Sequence, residues 1–273
     1  MKPTDNPRAL LQGLEQRARR RFGQHFLHDR GVVRRMVRGA RVSEGDPVVE
    51  IGPGLGILTE ELLSLGVNLT AVELDRDLAA YLRERFPDLH LVEGDAARVD
   101  WSEVCPGSDW SVVANLPYNV GTTLVMNLLR MPERFKSITV MLQMEVVQRM
   151  MADPGSKTYG ALSVQVQARS LPRFVLKLPP GAFHPPPKVD SAVIQLQVWP
   201  APRIGDATPA LFDKVVRASF AHRRKTLRNS LSGSWGREKA DAALALSGID
   251  GSRRAEQLSV EAYVALADAV TRL

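Results

Sequence analysis

Apolar and polar positions change rhythm repeatedly along this chain. From Asp46 onward, short β-rich apolar runs alternate with segments whose apolar residues recur at helical spacing. "PVVEIG" reads as a buried strand. "ILTEELLSL", with Ile57, Leu58, Leu62, Leu63 and Leu65, reads as the helix after it. "NLTAVEL" and "RDLAAYLRERF" repeat the pair, and "LHLVEGD" is a third strand. "WSVVANLP" with "TTLVMNLLR", and "SITVMLQ" with "MEVVQRMMA", continue the alternation. "FVLKLPP" and "AVIQLQVW" are two closing strands with no long helix between them. The pattern predicts an α/β fold with a mainly parallel seven-stranded sheet and helices on both faces. A hairpin of the closing pair would make one edge antiparallel.

After Trp199 comes "PAPRIGDATPA", whose Pro, Gly and polar residues read as a linker. Beyond it every pattern is helical: "LFDKVVRASF", "RRKTLRNSLSG", "REKADAALALSG" and "SVEAYVALADAVTRL". The expected organisation is a catalytic domain over residues 1–200, a linker over 201–207 and a small all-α domain over 208–273.

Composition narrows the partners. The 273 residues are 44% hydrophobic and 24% charged, enough for one large domain and a small one. A net charge of +6 favours acidic partners such as nucleic acid. A single cysteine, Cys105, excludes a disulfide within the chain and fits a reducing cytoplasm. No apolar run approaches transmembrane length, and "MKPTDNPRALLQG" carries no secretory core, so the expectation is a cytoplasmic protein. Arg17, Arg19, Arg20 and Arg21 suit either a solvated face or a phosphate-binding arm. No metal-binding motif appears.

"EIGPGLG" joins the first strand to the first helix. Glycines at 52, 54 and 56 allow a sharp turn and close approach of a ligand. Glu73 ends the second strand about 20 positions later, the spacing of a carboxylate that grips ribose hydroxyls. Asp95 ends the third strand, where it can accept from an adenine amino group. The spacing G-x-G-x-G departs from the dinucleotide fingerprint, which places its third glycine one position later. A nucleoside site without a pyrophosphate cradle suits S-adenosylmethionine and disfavours a nicotinamide dehydrogenase.

"NLPYN" follows the fourth strand on the same sheet edge. The amino nitrogen of adenine is a poor nucleophile because its lone pair is delocalised into the ring. Acceptors that hold its protons localise that pair. Asn115 offers a side-chain carbonyl, Leu116 a backbone carbonyl, Pro117 a rigid backbone, and Tyr118 a face for an extruded base.

Jointly, "RRFGQHFLHD", "VVEIGPGLGILTEELL", "AVELDRDLA", "VEGDA", "NLPYNV", "LQMEVVQRM", "FHPPPKVDSAVIQL" and "SFAHRRKTLRNSL" resemble the small-subunit ribosomal RNA adenine N6,N6-dimethyltransferase family over nearly the whole chain. The resemblance implies a Rossmann-like class I methyltransferase that uses S-adenosylmethionine. It implies transfer of two methyl groups to each of two adjacent adenosines in the 3′-terminal hairpin of small-subunit rRNA, and a role in subunit assembly. The partner would be that rRNA within a ribosomal subunit precursor, met by a monomer. It assigns cofactor contacts to His25, Leu27, Gly52, Glu73, Asp95, Ala96 and Asn115; the family more usually has Asn where His25 stands. It assigns Phe183 to stacking on the base, and leaves His184 structural. Arg20 and Arg21, with Arg223, Arg224, Lys225 and Arg228, would bind RNA backbone. An N6-adenine DNA methyltransferase would usually carry N-P-P-Y and a large recognition domain. A large-subunit rRNA methyltransferase of the macrolide-resistance type, and a non-catalytic assembly factor, are the remaining alternatives.

Overall fold

The computed structural model describes residues 25–222 and 224–273. The chain divides into two compact units. One holds residues up to Val147 with Arg173–Val198, the other Gln148–Pro172 with Trp199–Leu273. In chain order come strand β1 (Phe26–Leu27), helix α1 (Arg30–Ala40), β2 (Pro47–Ile51), α2 (Ile57–Ser64), β3 (Asn68–Glu73) and α3 (Arg76–Arg85). Next are β4 (His90–Glu93), α4 (Trp101–Val104), β5 (Trp110–Asn115), α5 (Gly121–Leu128) and β6 (Phe135–Gln143). Then follow α6 (Met144–Met150), α7 (Ala161–Gln167), β7 (Ser170–Leu178), β8 (Phe183–His184) and β9 (Ser191–Val198). The later helices are α8 (Pro209–Ser219), α9 (Leu227–Trp235), α10 (Arg237–Ser247) and α11 (Val260–Thr271).

Seven strands form one sheet in the order β4-β3-β2-β5-β6-β9-β7. The first five in that order are parallel neighbours, and β9 runs antiparallel to β6. The expected fold class is therefore found, with its antiparallel element where the closing strands lie. The central strands read as continuous apolar runs because both faces are covered: Val48, Val49, Ala71, Val112 and Val113 are fully buried. Helix α1 starts at Asp29, whose Oδ1 accepts from the N–H groups of Gly31 (2.8 Å) and Val32 (3.1 Å). It buries Val32, Val33, Met36 and Val37 in the cluster that holds Val48, Val113, Met141 and Val193 of the sheet.

Chain order leaves β2 between β3 and β5, so the sheet is built outward in both directions from it. That reversal opens a crevice at the carboxyl edge. Ile51 pairs with Val72 on one side and Ala114 on the other. The next residues, Gly52, Glu73 and Asn115, consequently share one level at that edge.

The helical unit differs from the expected 208–273. It takes in Gln148–Pro172, because α7 contributes Val164 and Ala168 to the core formed by Phe212, Val215, Leu231, Tyr263 and Leu266. The 201–207 segment is no free linker: Ile204 and Ala207 are buried in the same core. The Asp206 N–H donates to Asp268 (2.7 Å), and the Arg203 N–H to the Ala168 carbonyl (2.7 Å). At the centre lies an ion pair between Arg169 and Asp213 at 2.8 Å, with side chains 1% and 3% exposed. Removing one partner of such a pair strands a desolvated charge. Asp213→Ala should lower unfolding free energy by about 3–5 kcal/mol, read as a fall in urea midpoint. Replacing both residues with apolar ones of similar volume (R169M with D213L) should recover much of that loss.

Candidate active site

Two cavities open at the carboxyl edge of the sheet in the first unit. The larger, of about 310 Å³, is lined by Glu73, Leu74, Asp95, Ala96, Val120 and Thr123 among others. The smaller, of about 60 Å³, is lined by His25, Phe26, Leu27, Glu50, Asn115 and Tyr118 among others. Gly52, Leu116 and Pro117 line both, so the cavities meet at the first glycine and the start of the "LPY" turn.

The glycine turn folds as it does for two separate reasons. Gly52 has φ +67°, and a Cβ there would project into open space, so the missing side chain leaves room for a ligand. Gly56 caps α2 with φ +78°, and a Cβ there would strike the Phe86 ring. Gly54 serves the carboxylate opposite. Its N–H donates to Glu73 Oε2 (3.1 Å), while the Asp75 N–H donates to Oε1 (2.9 Å). Glu73 is thus buried, held by two backbone donors, and still borders the larger cavity. Burial, with the Asp75 charge, raises its pKa, opposed by backbone hydrogen bonds from Asp75, Gly54 and Leu74.

Asp95 Oδ1 accepts from the Ala97 N–H (2.9 Å), and its other oxygen faces the exposed Arg98 guanidinium at 3.7 Å. It stands at the mouth of the larger cavity beside Ala96. Leu74 and Val120 flank the same mouth, 48% and 45% exposed. Exposed apolar side chains at a cavity rim suit a planar, weakly polar ring. Their signal was an apolar residue just past a strand-ending Glu, and one just after "NLPYN".

His25 lines the smaller cavity and is fixed by two contacts of its own. Its ring Nδ1 lies 2.6 Å from the Pro185 carbonyl, which can only accept, so Nδ1 carries the proton. The ring tilts against Tyr118 with centroids 5.6 Å apart. Its backbone carbonyl accepts from Asn115 Nδ2 at 3.3 Å. That carbonyl settles the Asn115 amide: nitrogen toward His25, oxygen left as acceptor. The whole segment is held by pairing of β1 with β8, Phe26 opposite His184 and Leu27 opposite Phe183. Tyr118 shares a 2.5 Å hydrogen bond with Ser191, and burial raises its pKa, opposed by that bond. The Pro117 carbonyl accepts from Gly121 (2.9 Å) and Val120 (3.2 Å), which starts α5 immediately after the turn.

Phe183 corrects the sequence expectation. Its register opposite Leu27 turns the ring into the core, where it is 2% exposed among Val32, Met36 and Val193 and lines neither cavity. Tyr118 remains at the site as an aromatic side chain lining the smaller cavity. Among the expected RNA contacts, Arg224 and Lys225 are exposed in the turn before α9. Arg228 is tied to Asp241 at 2.8 Å. Arg17, Arg19, Arg20, Arg21 and Arg223 lie outside the described residues.

Glu50 is a site residue that sequence reasoning missed, although a lone carboxylate in the apolar run "PVVEI" was a signal. It is 1% exposed, borders the smaller cavity, and accepts from Thr59 Oγ1 at 2.7 Å. Burial raises its pKa to about 8, against the lowering effect of Thr59 and with help from the nearby Glu73 charge.

Comparison with known proteins agrees with this geometry. The model of the ribosomal RNA adenine dimethylase family matches residues 15–272. The chain belongs to that family. A ribosomal RNA small subunit methyltransferase A of Pseudomonas putida is 44% identical, covering 93% of this chain and 95% of its own. The protein of that name in Acinetobacter baylyi is 46% identical, covering 92% of each. Among solved structures, the 23S rRNA methyltransferase ErmE superposes with a TM-score of 0.69 at 27% identity, covering 90% of this chain and 99% of its own. A dimethyladenosine transferase from Plasmodium falciparum shares the fold, with a TM-score of 0.74 at 23% identity, over 89% of this chain and 96% of its own. The residues present fit S-adenosylmethionine: a nucleoside-sized cavity with an anchored carboxylate, joined through the open side of Gly52 to a smaller one bordered by Asn115 and Glu50.

Glu50 yields a prediction with a definite sign. An unfolded carboxyl titrates near 4.5, the folded one near 8. Between those values the folded state holds a proton that the unfolded state has lost, so Glu50 costs stability increasingly as pH rises. Glu50→Gln should raise the thermal midpoint at pH 8, and the gain should vanish below about pH 4.5. Transfer activity should fall in the same variant, since this buried acidic side chain borders the site.

Proposed function

We propose that this chain is an S-adenosylmethionine-dependent rRNA (adenine-N6,N6)-dimethyltransferase. Its substrate is a pair of adjacent adenosines in the 3′-terminal hairpin of small-subunit rRNA, presented within a ribosomal subunit precursor. The observation that carries the reading is the orientation of Asn115. With its nitrogen committed to the His25 carbonyl, its Oδ1 is an acceptor at the junction of two cavities. The Leu116 carbonyl, which has no backbone partner among the described residues, is the second acceptor.

When bound, S-adenosylmethionine supplies an electrophilic methyl group. The protein's part is to orient. Glu73 presents its anchored carboxylate to the ribose hydroxyls, and Asp95 with Ala96 meets the edge of the cofactor's base. Leu74 and Val120 cover that base on its apolar faces. On the substrate side the target adenine is extruded and rests on Tyr118. Asn115 Oδ1 and the Leu116 carbonyl accept hydrogen bonds from the N6 amino group and draw its lone pair out of the ring; the proton displaced by each methyl group leaves to solvent. Pro117 keeps both acceptors on a rigid turn. Pre-set acceptors of this kind are worth several kcal/mol of barrier. The small-subunit assignment, over the large-subunit one, is supported by relatives at 44% and 46% identity against 27% for the 23S enzyme.

Small subunits from a strain lacking the modification, incubated with the protein and S-adenosylmethionine, should yield N6,N6-dimethyladenosine at two adjacent positions when the rRNA is digested and analysed by mass spectrometry. Modification of large-subunit rRNA instead would overturn the assignment. Asn115→Ala should lower kcat by about a hundredfold or more and leave the unfolding midpoint near wild type. Turnover at the wild-type rate would sink the acceptor role.

A further inference from the structure

Helix α1 and its C-cap carry five arginines in twelve residues and no acidic residue: Arg30, Arg34, Arg35, Arg38 and Arg41. The inward face is apolar and buried, and all five arginines are exposed. Arg30 pairs with Glu60 at 3.2 Å. The other four have no carboxylate partner among the described residues. Elsewhere in this unit exposed cations are commonly neutralised. Arg76 and Arg83 pair with Glu93, Arg85 with Glu60, Lys136 with Asp46 and Lys177 with Asp190.

The arrangement weakens the helix that bears it. Arg30 and Arg34, and Arg34 and Arg38, are like charges at i,i+4, each pair destabilising by about 0.2–0.5 kcal/mol. Arg41 sits in the left-handed region at φ 57°, a conformation that glycine or asparagine adopts more readily. A merely solvated helix face usually mixes signs and gains from opposite-charge pairs. Among the described residues no carboxylate faces Arg34, Arg35, Arg38 or Arg41; Arg38 has only a backbone carbonyl, that of Arg34, at 3.4 Å.

Position adds to the case. Leu27, three residues before α1, lines the smaller cavity, so the helix starts at the site and its axis leads away for about 16 Å. At its far half Gly39 lies against Val175 of β7 with no room for a Cβ. That contact brings the exposed Arg173 and the 46% exposed Phe174 to the same end. We propose that this face, Arg34, Arg35, Arg38 and Arg41 with Arg173 beside them, is the docking surface for the phosphate backbone of the RNA whose adenosine enters the site. Guanidinium forks match phosphate oxygens two at a time, which a lysine face does not. The proposal rests on the functional reading above, because it takes RNA as the substrate.

The test compares wild type with R34Q/R35Q/R38Q/R41Q and R34K/R35K/R38K/R41K. Affinity for unmodified small subunits is measured over a range of salt, and KM and kcat at one salt. Each phosphate contact contributes about 0.7–0.9 to the log–log salt slope. The glutamine variant should lose two or more units of slope and raise KM for subunits about tenfold or more. Its S-adenosylmethionine affinity and its kcat at saturating subunits should match wild type, and its thermal midpoint should be no lower, since the like-charge pairs are relieved. The lysine variant should keep most of the slope. A glutamine variant with wild-type slope and KM would overturn the proposal, as would equal losses in both variants, since charge would then not be the cause. If the wild-type protein methylates no small-subunit rRNA, the functional reading fails, and the slope comparison on the same subunits still judges this surface by itself.

Discussion

The parallel ladder of β3, β2 and β5 is the constraint on which the site depends. Its register puts Gly52, Glu73 and Asn115 at one level, although they come from three separate segments of sequence. A slip of one residue in either pairing would turn Glu73 or Asn115 to the opposite face of the sheet. The register is secured because both faces of these strands are buried, so a slipped strand would expose nothing but disturb the packing of every valine in it. The chemistry of the edge is therefore held by hydrocarbon contacts several residues away from it.

Two carboxylates at that edge show how function and stability pull apart. Glu73 is desolvated but compensated by two backbone N–H groups, whereas Glu50 has Thr59 alone and the Glu73 charge nearby. A purely structural optimum would hold neither carboxylate there. Their persistence in a dry, rigid setting is what allows fixed dipoles to act on a ligand without the screening of water.

Much of this was legible because parallel strands buried on both faces read as apolar runs, and because glycine and proline mark the junctions between them. That Gly52, Glu73 and Asp95 would gather at one sheet edge followed from spacing alone, and all three line the larger cavity there. What stayed hidden depended on distant packing. Helix α7 carries Leu162, Val164 and Val166 in strand-like alternation. It is helical because that segment packs into the helical core, and because Ser163 caps the Gly160 N–H. The 201–207 stretch has the composition of a solvated linker but buries Ile204 and Ala207. The direction of Phe183 is set by its partner Leu27, and nothing local encodes that pairing. The His25 backbone carbonyl holds the Asn115 amide, a contact that residue identity does not reveal.

The hydrogen bond from His25 to Pro185 joins positions 160 apart in the chain. The strand pairing beside it spans a similar separation. During synthesis, the first five strands of the sheet can gather while the clamp's second half is still unmade. The His25 carbonyl therefore has no fixed place, and Asn115 no fixed orientation, until the residues around 185 have left the ribosome. The strands that carry Gly52, Glu73 and Asn115 pair within residues 47–115, whereas the carbonyl that orients the Asn115 amide is held by pairing with residues far along the chain.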